Sequence, residues 1–299
     1  MELVRRHQPD PKKKLLYRKA LIFTLVGNLL LAGGKGVVAY MSGSAALYAD
    51  AANSVSDVVY SIAMVVGLWL AMQPPDLSHP QGHSRFEPLV GLMVTLSMGI
   101  AGYEAARTAL QRFLAGGMAV DIGLPTLVLL ASAAIKAGMF FYIRRLAHQL
   151  DSPTLNTAAK DNLSDVLTSV AAFLGAFGSS QISPLLDPVA GFLVAGWIFK
   201  AAFQAGRENL SFLTGAGASE ETRQEIIRAA LSVPGVLRVH HAMTEYAGPK
   251  LVVDLHINVN GSKTLHDTHA INDAVVKKIE SLPDVDRAYV HIEPDDWVD

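Results

Sequence analysis

The chain has 299 residues, of which 51% are apolar and 17% charged, and its formal net charge is −2. Soluble domains usually carry about a quarter charged residues, so this composition argues against a soluble protein and favours a membrane protein. The sequence contains no cysteine, which excludes disulfides and thiolate ligands. Any metal in this protein is therefore held by oxygen and nitrogen.

Six apolar segments recur along the first two thirds of the chain, each near the roughly 20 residues that cross a bilayer. They are Ala20–Tyr40, Ala45–Met72, Leu89–Leu110, Ile122–Ile143, Leu155–Phe177 and Pro188–Phe203. From Glu208 onward the chain is more charged and has no further segment of that length. We predict an all-α transmembrane bundle of six helices over residues 1–207 and a small soluble domain over residues 208–299.

Lys and Arg are distributed unequally between alternate loops. The basic residues before the first span, between spans two and three, and after span four are Lys12, Lys13, Lys14, Arg18, Lys19, Arg85, Arg144 and Arg145. The other loops contain only Arg112. By the positive-inside rule, both termini and the soluble domain are predicted to be cytoplasmic. We expect the protein in the plasma (inner) membrane. Met1–Lys19 lacks a signal-peptide pattern, so the first span is expected to direct insertion.

Acidic and amide side chains are spaced at helical intervals in the second and fifth spans. Asp50, Asn53 and Asp57 are three and four residues apart, so they share one face of a helix. Asp161 and Asp165 are one turn apart. Charged groups at membrane depth are costly and mark pathways, and paired carboxylates repel unless a cation lies between them. We predict a metal site of Asn53, Asp57, Asp161 and Asp165, with Asp50 as an accessory candidate.

The alternative is that these acids form ion pairs with Lys35, Lys136 or Lys160, which would fix only the packing of the helices. That interpretation suits residues that stand alone on their span, such as Glu104 and Asp187. The same acid spacing on two different spans favours one shared metal site instead.

Three stretches resemble the cation diffusion facilitator family. Gly43–Asp57 resembles the family's second helix, with Asn53 where other members have His or Asp. His79–His83 with Glu87 resembles the cytoplasmic loop between helices two and three. Asp161–Asp165 resembles the fifth-helix motif, with Asp where zinc carriers commonly have His.

The resemblance implies a homodimer in the lipid bilayer that exchanges cytoplasmic metal for external protons by alternating access. It also implies a metal site between helices two and five, and a cytoplasmic α+β domain of the metallochaperone or ferredoxin-like type. We expect no nucleic-acid partner. Carboxylates must lose their protons to bind metal, so H⁺ is expected as the counter-ion.

The ligand set favours manganese as the substrate. Carboxylate, carbonyl and water suit Mn²⁺, whereas imidazole suits zinc, copper and nickel. One Asn and three Asp are similar to the set in the manganese-exporting members of the resembled family. We predict export of Mn²⁺, with Fe²⁺ and Zn²⁺ as alternative substrates.

Two further groups of side chains are candidate metal ligands. His79 and His83 with Asp76 predict a loop site, and ordinary surface imidazoles are the alternative. Seven potential ligands crowd the C-terminal domain, namely His240, His241, His256, His266, His269, His291 and Glu293. The resemblance implies that His240, His256, His291 and Glu293 match metal-binding positions of zinc members. The alternative is that each strand histidine only fills a core or surface position.

Sequence patterns predict five elements in this domain. They are a helix at Ser219–Leu231, strands at Val236–Tyr246 and Lys250–Val259, a helix at Thr264–Leu282 and a strand at Val285–Glu293.

An enzyme is not expected, because no nucleophile with a base, phosphate-binding loop or cofactor motif occurs. A channel would need charge around a continuous pore. A non-transporting scaffold paralogue would tend to lose the paired acids.

Overall fold

The computed structural model describes residues 10–42, 45–117 and 123–296 of the chain. These residues form two compact units, which divide between Asn209 and Leu210. The first unit is built from long helices, and the last of them continues past that division. The helices are α1 (Pro11–Ser42), α2 (Ala45–Ala71), α3 (Phe86–Leu114), α4 (Leu124–Leu150), α5 (Pro153–Gln181) and α6 (Leu186–Leu213).

The predicted six helices all occur in the described residues, and five of them are long and apolar enough to cross a membrane. The helix outside that group is α5, which has 29 residues and contains Lys160, Asp161 and Asp165. Large apolar side chains elsewhere in the unit are exposed, including Leu30, Phe141 and Leu193. Such exposure fits helices that contact lipid, while the charged positions of α5 require a polar surrounding.

A tight turn makes α4 and α5 antiparallel neighbours. Asp151 caps the C-terminus of α4 in the left-handed conformation with φ of 50°. Ser152 is the N-cap of α5, where its Oγ accepts a hydrogen bond from the Leu155 amide at 3.2 Å. Pro153 fits the first helical position, whose amide needs no partner. Residues equally far from this turn on the two helices therefore face each other.

The largest buried apolar cluster among the described residues of the first unit lies near this same end of the bundle. Its buried side chains come from α1, α2, α3, α4 and α5, and include Tyr17, Leu21, Met64, Leu68, Val90, Ile143, Leu146, Leu150 and Leu155. Close packing at this end holds these helices together. The polar residues of α2 and α5 then lie further along the bundle, beyond the apolar core.

The second unit is an α+β domain. Its elements are α7 (Glu220–Leu231), β1 (Val236–Tyr246), β2 (Leu251–Val259), α8 (Leu265–Glu280) and β3 (Val285–Pro294). The strands form a sheet of order β1-β2-β3, antiparallel between β1 and β2 and parallel between β2 and β3. The five predicted elements are confirmed, with boundaries that differ by no more than two residues.

Strand alternation gives this sheet two different faces. Leu251, Val253, Leu255, Ile257 and Val259 of β2 are buried in a core shared with α7 and α8. The intervening positions of β2 point to the opposite face, because successive side chains of a strand alternate. That face displays the polar side chains of the strand.

Candidate metal centre

Three carboxylates from two helices meet in the middle of the bundle. Asp57 of α2 and Asp161 and Asp165 of α5 bring ligand oxygens within 4.8 Å of one another. All three side chains are half-buried. We call these residues the acid cluster. The helical spacing alone placed Asp161 and Asp165 on one face of α5, and the packing of α2 beside α5 adds Asp57.

A cavity of about 450 Å³ opens beside the acid cluster and is lined by residues of α2, α3, α5 and α6. Asn53 lies one turn before Asp57 and lines the same cavity, as do Ser164 and Thr168. The side chain of Asp50 lies outside the described part of the structure. The cavity reaches Arg112 and Asp187, which form an ion pair at 2.7 Å.

The ammonium of Lys136 on α4 also contacts the acid cluster. Its Nζ donates a hydrogen bond to Asp57 Oδ2 at 2.8 Å and forms an ion pair with Asp165 Oδ2 at 2.7 Å. Lys160, by contrast, pairs with Glu208 at 3.2 Å. Of the ion pairs that the sequence offered as an alternative, the one with Lys136 is therefore present. It involves Asp57 and Asp165, which were also predicted to bind metal.

Buried polar side chains join α1, α3 and α5 at the end of the bundle nearest the α4–α5 turn. Tyr17 Oη donates to Glu87 Oε2 at 3.1 Å, and Ser152 Oγ donates to Glu87 Oε1. Thr154 Oγ1 donates to the Glu87 carbonyl at 2.5 Å. We call these four residues the Glu87 cluster. The sequence pointed to Glu87 only within the resembled loop motif, because its partners are far away along the chain.

The predicted loop residues also come together. His79 Nδ1 lies 3.6 Å from Asp76 Oδ1, and His83 Nε2 lies 3.4 Å from Asp76 Oδ2. We call these three residues the loop cluster. The His79 amide donates to Asp76 Oδ1 at 2.6 Å, and this bond is the main reason that the pKa of Asp76 lies below its ordinary value. The carboxylate therefore stays ionised and able to bind a cation.

A second imidazole-rich group lies on the polar face of the sheet. His240, His256 and Glu293 bring ligand atoms within 4.8 Å of one another, and we call them the sheet cluster. His240 Nε2 lies 2.8 Å from Glu293 Oε2, and its Nδ1 forms a hydrogen bond with Asn258 at 2.9 Å. His291 is more exposed and lies 3.5 Å from Glu293 through Nε2.

A strand irregularity explains why neighbouring histidines both reach His256. The register of β1 against β2 shifts between Val239 and His241, so the alternation of side chains is interrupted there. The rings of His240 and His241 lie 5.6 and 4.6 Å from that of His256. His241, Asp254 and His256 form a further candidate group. Asp254 was missed, although its position two residues before His256 puts it on the same face.

Six helices with carboxylates facing an internal cavity, joined to a small α+β domain, define a membrane transport protein for cations. A family described as "Cation efflux transmembrane domain" matches residues 21–214, and one described as "Cation efflux protein, cytoplasmic domain" matches residues 218–295. The chain belongs to the cation efflux family, the cation diffusion facilitators. It is an integral membrane transporter of metal cations and not an enzyme.

Relatives cover nearly the whole chain. An uncharacterised transporter of Methanocaldococcus jannaschii is 34% identical over 92% of this chain and 97% of its own length. The manganese efflux system protein MneS of Bacillus subtilis is 25% identical over 91% of this chain and 94% of its own length. A histidine-to-alanine variant of MamM-CTD is 27% identical over 26% of this chain and 98% of that structure, with a TM-score of 0.25.

Proposed function

We propose that this transporter exports Mn²⁺ from the cytoplasm in exchange for protons, with Asn53, Asp57, Asp161 and Asp165 as its transport site. The observation that carries the proposal is the acid cluster, whose oxygens lie within 4.8 Å of one another beside a cavity. An all-oxygen site suits Mn²⁺ better than zinc. The name of the similar manganese efflux protein MneS points to the same ion.

Alternating access would connect this site to each side of the membrane in turn. The cavity extends to Arg112 and Asp187, at the bundle end that the positive-inside rule assigns to the outside. The Glu87 cluster joins helices at the opposite end. This arrangement fits a state that releases metal outward, and separation of the Glu87 cluster would open the cytoplasmic path. Protons arriving from outside would displace the metal from its carboxylates.

We further propose that the protein is a homodimer in the plasma membrane with cytoplasmic termini. In this proposal residues 1–207 transport the metal and residues 208–299 regulate transport. The sheet cluster, together with His291, would bind a regulatory metal; its imidazoles suit zinc. The loop cluster offers another imidazole-rich site on the cytoplasmic side.

Purified protein in liposomes that contain a pH dye tests the proposed function. We expect Mn²⁺ uptake to raise the internal pH, and both signals to disappear in Asp57→Ala. Metal flux without a pH change would refute proton exchange. Faster Zn²⁺ or Fe²⁺ flux than Mn²⁺ flux would refute the assigned metal, and no flux of any of the three would favour a scaffold paralogue.

A further inference from the structure

Lys136 brings a fixed positive charge to the same carboxylates that face the cavity. Its side chain is 6% exposed, and its Nζ lies 2.8 Å from Asp57 Oδ2 and 2.7 Å from Asp165 Oδ2. These contacts come from two different helices, α2 and α5. An ammonium held so closely by both carboxylates occupies positions that a metal ligand set would otherwise use.

Building on the proposed transport site, we propose that Lys136 is a tethered cation that competes with the transported metal for Asp57 and Asp165. By holding one oxygen of each carboxylate, it weakens metal binding enough for the metal to leave. Lys136 would thus set the affinity and turnover of the site as a positioning residue.

The balance of charge supports this role. Counted by themselves, the three carboxylates and the Lys136 ammonium carry a formal charge of −2, which one divalent ion neutralises; the charge of Lys35 also acts on Asp57. Without Lys136 the same site would remain negative after the metal had bound. Because charges attract strongly in a partly buried, low-dielectric site, the metal would then be held more tightly and leave more slowly.

The geometry leaves room for the metal despite the lysine. Lys136 Nζ contacts the Oδ2 atoms of Asp57 and Asp165, and each carboxylate has a second oxygen with which it would bind the metal. The cavity is lined by Asp57, Asp161 and Asp165. Single-oxygen binding by each carboxylate leaves coordination positions for water, which suits the oxygen-rich shell of Mn²⁺.

A purely structural ion pair is the competing interpretation, and the sign of the affinity change separates the two. If Lys136 only fixes helix packing, its loss would disorder the ligands and weaken metal binding. If it competes with the metal, its loss would strengthen binding. An arginine would compete harder than lysine, because its planar guanidinium binds carboxylates through two parallel hydrogen bonds.

The test measures Mn²⁺ binding and maximal flux for full-length wild type, Lys136→Met, Lys136→Gln and Lys136→Arg. We expect the Mn²⁺ Kd to fall on the order of tenfold or more in the two neutral variants, with KM and maximal flux falling together. The Kd should rise in Lys136→Arg. Lys160→Met is the matched control, since it removes a lysine that pairs with Glu208 instead, and its Kd should equal that of wild type.

An unchanged or higher Kd in folded Lys136→Met and Lys136→Gln would overturn the inference. If neither neutral variant folds, Lys136→Arg is the deciding variant. A Mn²⁺ Kd of Lys136→Arg that is equal to or below that of wild type would then overturn the inference. Mn²⁺ flux that survives Asp57→Ala would overturn the proposed transport site together with this inference. A Mn²⁺ affinity that depends on Asp57 but stays the same in every Lys136 variant would overturn this inference alone.

Discussion

The acid cluster and the sheet cluster use opposite ligand chemistries in one chain. The acid cluster has three carboxylates from two helices, and the ammonium of Lys136 bridges two of them. The sheet cluster has two imidazoles and one carboxylate on adjacent strands. In the proposed cycle the transported metal must be released each time, which hard oxygen ligands and competition by Lys136 would favour. The metal proposed for the sheet cluster would instead stay bound, and imidazole ligands suit zinc.

The largest expected effect comes from removing a carboxylate of the acid cluster. Asp57→Ala or Asp161→Ala should lower Mn²⁺ flux by at least about a hundredfold, since losing even the outer partners of a metal site costs up to that factor. Flux into liposomes measures it, with chromatography to show that the fold is intact. Asp273→Ala, an exposed acid on α8, is the control. Near wild-type flux in either cluster variant would show that the site is wrongly assigned.

Replacing an oxygen donor of the transport site by an imidazole nitrogen should give that site a ligand type found in the sheet cluster. Asp161→His or Asn53→His should raise the ratio of zinc to manganese flux on the order of tenfold, which corresponds to about 1.4 kcal/mol of binding. Imidazole favours zinc in both variants, and in Asp161→His the loss of a carboxylate also weakens binding of the harder Mn²⁺. Competitive flux under one proton gradient measures the ratio.

Asp161→Asn is the matched control for this selectivity change. It removes the charge but keeps an oxygen donor, so it should lower flux without the same preference for zinc. A ratio that stays constant or moves toward manganese in both histidine variants would mean that selectivity is determined elsewhere in the protein.

The sheet cluster should affect regulation more than transport. His256→Ala with His291→Ala should weaken zinc binding by roughly ten- to a hundredfold and leave measurable Mn²⁺ flux. Binding is best measured in full-length Asp57→Ala, so that the transport site does not contribute. The control is His266→Ala with His269→Ala, two exposed histidines on α8. Equal zinc affinity in the test and control proteins would rule out the sheet site.

The smallest expected effect comes from removing a helix cap in the second unit. Ser219 caps α7 by accepting a hydrogen bond from the Thr222 amide at 3.2 Å. Ser219→Ala should lower the local stability of α7 by about 1 kcal/mol, measured by hydrogen exchange in the full-length protein. Ser219→Asn keeps a capping oxygen and should behave like wild type. Mn²⁺ flux that fell as much as in the acid-cluster variants would contradict the expectation that loss of this cap has only a local effect.

Local periodicity made much of this protein predictable. Spacings of three and four residues placed Asp161 and Asp165 on one helix face, and alternation separated the two faces of β2. These patterns depend on neighbours within one element. They also predicted the elements of the second unit to within two residues, and the six helices of the first unit with boundary errors of up to ten residues.

Contacts between distant segments were decided by tertiary structure. Lys136 lies 15 residues before Asp151, and Asp165 lies 13 residues after Ser152, so the tight α4–α5 turn brings them together. The sequence offered three lysines as partners and no means of choosing among them. Likewise, the shift of register in β1 brings both His240 and His241 near His256, which strict alternation would not predict.

The sequence by itself determined which elements form, which residue types they present and the family to which the chain is similar, because these follow from local spacing and composition. Only the tertiary structure decided which charges meet. It paired Lys136 with Asp57 and Asp165, buried Glu87 among Tyr17 and Ser152, and added Asp254 to a histidine group. The reason is physical: ion pairs and ligand groups require approach within a few ångströms, and only helix packing and strand register set that approach.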